Sequence, residues 1–238
     1  YLKKSVIVDG NPYGIDTNRI YVGGSSAGAF TAMHAAFLWS LSELAQVPEA
    51  DTAYLRTQGG IEGNSGNLGY SSRFTAAFAL SGGILRTAWV DQAKLRAVVA
   101  MHGTGDGVVP YRRGNLPFIF LEVEGGFNLD SVASEKGLYH ALFSWQGLGH
   151  VPYGTQQSVN PIYMRDVEDF LRYHFYQWNS RFTSALSDAT SREVQSTELE
   201  AWSIEGRYLG AINNLSELPQ GVWILRSKSR TIRRLFRP

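Results

Sequence analysis

The chain contains no cysteine. Disulfide cross-links and cysteine-ligated zinc are therefore excluded, while the compartment is left open, because many exported proteins also lack cysteine. No stretch is long and apolar enough to span a bilayer. No amino-terminal signal peptide is visible, and the first residue is Tyr1, not Met, so a signal is expected upstream of the chain. Charged residues are sparse, at 18%, against 44% hydrophobic residues, a balance of globular and not disordered sequence. The net charge of +1 conceals an asymmetry. Six of the 22 basic residues (Arg226, Lys228, Arg230, Arg233, Arg234, Arg237) and none of the 21 acidic ones lie at 226–238, which leaves the rest at −5. On that balance the body is not expected to bind nucleic acid, and the basic tail needs its own explanation.

What is present is Gly24-Ser25-Ser26-Ala27-Gly28, between the apolar run Ile20-Tyr21-Val22-Gly23 and a helical pattern starting near Ala29. A G-x-S-x-G pentapeptide placed strand-to-helix is a nucleophile elbow, a turn tight enough to strain the serine backbone. Flanking glycines are expected to let strand and helix approach. The plainer alternative is an incidental turn of small residues.

The chain of 238 residues suits one α/β domain, or one such domain plus a small module. Tyr1 to Lys4 reads as the end of a helix, and Asn11 to Asp16 as loop chemistry. From Ala29 to Gln46, Phe30, Met33, Phe37, Leu38, Leu41 and Ala45 recur at helical spacing and predict one amphipathic helix, ended by Pro48. Gln58 to Ser72 is rich in Gly, Asn and Ser and predicts a long loop of functional or merely surface character. Three short apolar runs, Phe74–Leu80, Ala97–Met101 and Ala141–Trp145, lack alternation and predict strands buried on both faces of a parallel sheet. Helical stretches between them predict an α/β fold. Pro161 to Trp178 reads as a further amphipathic helix, and Ser180 to Arg192 as a linker. Beyond it, alternation around Leu199–Ser203 and turn signals at Glu205-Gly206 and Pro219-Gln220-Gly221 predict a small all-β module with a thin core.

A serine hydroxyl needs a base, an orienting acid and oxyanion donors before it becomes a useful nucleophile. In an elbow fold the expected chain order is Ser, then Asp or Glu, then His. Ser26, Asp106 and His150 have that order, each directly after a predicted strand, where open α/β sheets place their ligands. Asp91 and Asp130 are weaker acids, since neither follows an apolar strand. His34 and His174 fall within helices and read as structural, and His140 precedes a strand. His102 and Ser25 are candidate pocket residues. The backbone N–H of Ala27 is the expected first oxyanion donor; the second should come from a loop after an earlier strand, and no such strand is legible before Ser26. The sequence implies no metal and no cofactor.

The stretch Tyr13-Gly14-Ile15-Asp16 with Arg19 to Gly28 resembles the elbow region of α/β-hydrolase esterases. The nearest likeness is to secreted carboxylesterases related to polyhydroxybutyrate depolymerases and to feruloyl or acetyl-xylan esterases. His102-Gly103-Thr104-Gly105-Asp106-Gly107-Val108-Val109-Pro110-Tyr111 resembles that group's acid turn, and Gly149-His150-Val151-Pro152-Tyr153 its histidine turn. The resemblance covers roughly residues 1–178. It implies Ser26 as nucleophile, Asp106 as orienting acid and His150 as base, with a polysaccharide-linked or small-molecule ester as substrate. The family also has further strands and an H-G-G-type oxyanion loop upstream of the elbow. The resemblance therefore predicts the carboxyl-terminal part of a doubly wound α/β-hydrolase sheet. The strand before Ser26 would have an unpaired edge, and the piece would be unstable and nearly inactive alone.

Glu205-Gly206-Arg207, Leu218-Pro219-Gln220-Gly221-Val222-Trp223-Ile224-Leu225 and the basic end resemble the C-terminal sorting domain of the type IX secretion system, with Trp223 where Tyr is usual. That implies export to the cell surface or medium through the type IX machinery. The expected organisation is a catalytic domain at 1–179, a linker at 180–192 and a β-sandwich-like sorting module at 193–238. Rival readings are a non-catalytic surface binding protein on the same scaffold, and a serine peptidase.

Overall fold

The structure is a computed structural model. It describes residues 1–48, 50–64, 66–117, 119–155, 157–190, 199–203, 208–212, 221–227 and 232–237, with side chains as far as Asn179. The chain divides into two compact units, Tyr1–Phe175 and Tyr176–Pro238.

The first unit opens with α1 (Leu2–Val8), β1 (Tyr21–Ser25) and α2 (Ala27–Phe37). Short helices α3 (Leu41–Leu44) and α4 (Thr52–Thr57) follow, then β2 (Ala76–Leu80), β3 (Gly83–Ile84) and a 3₁₀ turn at Thr87–Trp89. Next come β4 (Ala97–Gly103), β5 (Arg113–Asn115), β6 (Glu122–Gly125), α5 (Gly126–Glu135) and β7 (Tyr139–Trp145). The long helix α6 (Pro161–Thr190) crosses from one unit into the other.

Strands β1, β2, β4 and β7 form one parallel sheet in that order. The three apolar runs of the sequence are thus strands of a parallel sheet, as the lack of alternation predicts. Burial grades across it. β4 is buried throughout and β2 nearly so, whereas β1 and β7 lie at the edges and are partly exposed. Both faces are covered, with alternate residues serving each. Ala77, Ala79, Val98 and Ala100 pack with Ala29, Met33, Phe37, Leu129 and Ala133 from α2 and α5. Phe78, Leu80, Met101, Phe143 and Trp145 face the other way, toward Val167, Met164, Phe170 and Leu171 of α6. The result is a doubly wound α/β layer structure.

The predicted single helix at Ala29–Gln46 is two helices. Leu38, the cap residue of α2, is extended, and Ser40 starts α3 with a capping box. The Ser40 hydroxyl accepts from Glu43 N–H at 3.2 Å, and the Glu43 carboxylate accepts from Ser40 N–H at 3.0 Å. A reciprocal cap satisfies the donors of a new helix start, so the chain turns while its apolar period continues. A second departure is the small antiparallel sheet β3-β6-β5, whose strands of two to four residues leave no legible alternation. Residues 58–72 hold no helix or strand among the described residues. Glu62 anchors their far end by accepting from the Ser72 hydroxyl at 2.6 Å.

In the second unit, β8 (Leu199–Ser203), β9 (Tyr208–Ile212), β10 (Gly221–Ser227) and β11 (Ile232–Arg237) pair antiparallel in the order β11-β10-β8-β9. Among the described residues these four strands make one antiparallel layer. The segment expected as a linker is helical as far as Thr190. No Gly or Pro falls within residues 162–190, so neither interrupts the helix there. The Glu205-Gly206-Arg207 turn and Leu218-Pro219-Gln220 lie outside the described residues, as do Ser191-Arg192 of the expected linker.

Candidate active site

Parallel register aligns the carboxyl ends of the sheet: Ser25 pairs with Leu80, Leu80 with Met101, and Met101 with Phe143. The ladder runs one residue further, with Ser26 N–H donating to Leu80 O at 2.9 Å and Ser81 N–H to Met101 O at 2.8 Å. Whatever follows β1, β4 and β7 therefore emerges at one end of the sheet.

Ser26 stands between β1 and α2 with φ 54° and ψ −119°. Positive φ on a serine outside a helix stores strain on the order of 1–3 kcal/mol, held here by the strand behind it and the helix ahead. Gly24 makes the turn sterically possible, because a Cβ there would overlap the carbonyl of Gly28 and press on Ala29 N. Gly28 itself has open space where its Cβ would be, so only one of the two flanking glycines serves the close approach.

Gly103 does the same between the other two turns. A Cβ on it would overlap the carbonyls of Leu148 and Gly149, so the turn after β4 and the turn after β7 pack backbone to backbone. Thr104 N–H donates to Trp145 O and Gly105 N–H to Leu148 O, each at 2.9 Å. That docking brings Asp106 to His150.

The three side chains form one hydrogen-bonded line. His150 Nδ1 lies 2.8 Å from Asp106 Oδ2, and His150 Nε2 lies 2.9 Å from Ser26 Oγ. A carboxylate accepts only, so the ring proton sits on Nδ1 and the Nε2 lone pair is left for the Ser26 hydroxyl proton. The Asp106 side chain is fully buried, while that of His150 is 17% exposed. Burial pushes the Asp106 carboxyl up, but hydrogen bonds from His102, His150, Val109 N–H and Val108 N–H outweigh it and hold the group well below the usual carboxylate range. Both backbone bonds reach Oδ1, at 2.9 Å. Ala27 opens α2, so its N–H is among the helix-start donors that no intrahelical carbonyl takes.

The other sequence candidates are placed elsewhere. Asp130 accepts from His140 Nδ1 at 2.8 Å, and Asp91 caps its own turn through Ala93 N–H at 2.8 Å. His34 accepts Leu85 N–H at 3.2 Å, and burial pushes it down to about 4. His174 pairs with the Tyr139 hydroxyl at 2.7 Å, and burial lowers it too. The Ser25 hydroxyl meets that of Tyr153 at 2.5 Å. A surface depression built from the same two turns is lined by Thr104, Tyr111, Arg112 and Gln146. Neither Ser25 nor His102 lines it, and His102 is fully buried behind Asp106. Sequence reasoning does not single out Tyr153 or Tyr111; each lies in a quoted turn motif, which is the available signal. Among the described residues no three His, Asp or Glu side chains are grouped to hold a metal, and no helix is long and apolar enough to cross a membrane.

No family model matches the chain, and no curated protein matches it. Among solved structures it is similar to a truncated carbohydrate esterase from gut microbiota, at 20% identity over 68% of this chain and 61% of that one, with a TM-score of 0.42. It is also similar to Thermogutta terrifontis esterase 2 phosphorylated by paraoxon, at 19% identity over 70% of this chain and 56% of that one, TM-score 0.42. The propionate-bound form of the Thermogutta terrifontis esterase gives 17% identity over 72% and 60%, TM-score 0.43. The chain spans about three fifths of the length of these structures.

Proposed function

We propose that the protein is a serine hydrolase of carboxylic esters. The observation that carries this reading is the unbroken line from Ser26 Oγ through His150 to Asp106, with Ser26 held at positive φ on a strand-to-helix turn. Ser26 Oγ attacks the ester carbonyl carbon as His150 Nε2 takes its proton, and the carbonyl π electrons move to oxygen. The Ala27 N–H faces the resulting oxyanion. Collapse breaks the bond to the alcohol oxygen, which leaves with the proton from His150, and an acyl-Ser26 ester remains. Water attacks that ester, His150 takes one water proton, and collapse releases the acid and returns the proton to Ser26. Asp106 keeps His150 in the tautomer both half-reactions need.

The substrate class we favour is an acetyl or feruloyl ester on a polysaccharide, met outside the cell. The sorting-domain resemblance of residues 193–238 supports export through the type IX secretion machinery. The test is hydrolysis of p-nitrophenyl acetate by the full-length protein and its Ser26→Ala variant. Loss of turnover in the variant is expected. Equal rates in both would remove Ser26 from the mechanism, no turnover in either would favour a binding role, and amide cleavage in a peptide panel would make the enzyme a peptidase.

A further inference from the structure

Behind the three side chains stands a fourth that none of the steps above uses. His102 lies within β4 and is fully buried. A buried imidazole is costly unless its nitrogens are satisfied. Gly126 N–H, at the start of α5, reaches His102 Nδ1 at 3.2 Å. A backbone N–H can only donate, so Nδ1 carries the lone pair and the proton is on Nε2. Nε2 in turn faces two acceptors, Asp106 Oδ2 at 3.1 Å and the Val109 carbonyl at 3.2 Å. An imidazolium would set a second N–H against that of Gly126, so the neutral ring is the form that fits. The Tyr111 ring stands nearly perpendicular to the imidazole at 5.6 Å.

We infer that His102 is a positioning residue, holding Asp106 through its Nε2–H so that Oδ2 stays aimed at His150 Nδ1. The inference rests on the triad reading given above. A carboxylate can rotate about its Cβ–Cγ bond, and one pinned oxygen leaves the other free to swing. Val108 and Val109 pin Oδ1, and His102 pins Oδ2 from the buried side while His150 uses the same oxygen from the open side. Among the described residues, the titratable groups facing His102 are Asp106 and Tyr111, with His150 across the shared oxygen. His102 is fully buried, so it acts only through Asp106.

Two substitutions separate the two ends of the ring. His102→Gln puts an amide N–H near the place of Nε2 and keeps a donor for Asp106. His102→Asn puts a carbonyl near the place of Nδ1, which keeps the Gly126 contact and loses the donor. The expected result is a kcat about 10–100-fold lower in His102→Asn at nearly constant KM, and largely rescued in His102→Gln. The downfield proton resonance of the His150 Nδ1–H should persist in His102→Gln and broaden or vanish in His102→Asn. The opposite ranking, or equal losses in both, would overturn the inference and leave His102 as a mere anchor for α5. Nitrogen-15 spectra of the unsubstituted protein need neither turnover nor a folded variant. They should show His102 protonated at Nε2 and bare at Nδ1, and the other tautomer would overturn the inference outright. If Ser26→Ala leaves hydrolysis unchanged, the esterase reading fails, while both spectroscopic readouts still decide the hold of His102 on Asp106.

Discussion

The hydroxyls of Ser25 and Tyr153, 128 positions apart in the chain, meet at 2.5 Å. Ser25 ends β1 directly before the elbow, and Tyr153 follows His150 by three residues. Their contact ties the loop that carries the base to the strand that carries the nucleophile. Tyr153 is well placed to be that tie, because its ring is buried at 4% exposure and leans on Trp145 at 5.7 Å. Tyr153→Phe keeps the ring and removes the tie. Loss of one neutral hydrogen bond should cost about 1 kcal/mol of stability. The kcat for p-nitrophenyl acetate should fall several-fold at constant KM, because the Ser26–His150 distance is less well held. An unchanged kcat with a lowered unfolding midpoint would show that the contact supports the fold and not the geometry of the site.

Asp106 accepts four hydrogen bonds, two at each oxygen. Asp106→Asn keeps the size and gives one side of the group N–H donors. Turned toward His150, the amide would force the wrong ring tautomer and leave Nε2 protonated against Ser26. The kcat is expected to drop about 10⁴-fold in steady-state assays with little change in KM. A drop of less than tenfold would assign the orienting role elsewhere.

Gly24 and Gly28 look equivalent in the pentapeptide, and they differ in the structure. Gly24→Ala should destabilise by about 1–3 kcal/mol, because the clash is with backbone atoms of Gly28 and Ala29 that cannot turn aside. Gly28→Ala meets nothing and lies in the first turn of α2, where alanine is the better helix former by about 0.5–1 kcal/mol. Urea unfolding of the two variants should therefore move in opposite directions. Equal destabilisation would mean that the elbow is looser than its geometry implies.

These contrasts mark what a sequence can carry. The central strands β2 and β4 were legible because a strand covered on both faces has no polar positions, and Ala76–Leu80 and Ala97–Met101 read as unbroken apolar runs. The line Ser26, Asp106, His150 was legible because the three residues come in the expected order after the runs that form β1, β4 and β7. The break between α2 and α3 was hidden under an apolar period that continues through it, although Ser40-x-x-Glu43 carried the capping signal. The hold of His102 on Asp106 was hidden for another reason. It depends on α5 presenting Gly126 N–H to a buried ring, a tertiary contact between residues 24 positions apart. Gly103 likewise shows its purpose only once the turn after β7 is packed against it.

The cap at Ser40 also carries an ion pair. Glu43 accepts from the N–H groups of Trp39 and Ser40 at 2.9 and 3.0 Å, and it pairs with Lys94, which also donates to Phe37 O at 2.8 Å. One carboxylate thus gathers the end of α2, the start of α3 and the segment before β4. Burial pushes it up, and the bonds from Lys94, Trp39 and Ser40 together bring it below its ordinary value. Ser40→Ala removes only the hydroxyl cap and should cost about 1 kcal/mol in urea unfolding. Glu43→Ala removes the whole junction and should cost more than Ser40→Ala. A Glu43→Ala variant as stable as the parent would show that the break between the helices does not depend on the box.

His34 gives the fold a pH dependence separate from the triad. Its Nε2 accepts Leu85 N–H, and its ring neighbours Phe30 at 6.3 Å and Trp89 at 5.7 Å. Burial pushes it down to about 4 from an ordinary 6.5. The unfolded chain therefore binds this proton more readily than the folded one. The neutral ring's contribution is fully present above the unfolded value and is lost as pH falls toward the folded one, up to about 3 kcal/mol over that window. His34→Gln keeps an acceptor for Leu85 and cannot take up a proton. Urea unfolding of the parent should weaken between about pH 7 and pH 4 by a margin that the variant does not show. Parallel pH curves for the two proteins would mean that the folded protein protonates His34 at no cost, and that its bond to Leu85 N–H does not hold the ring neutral.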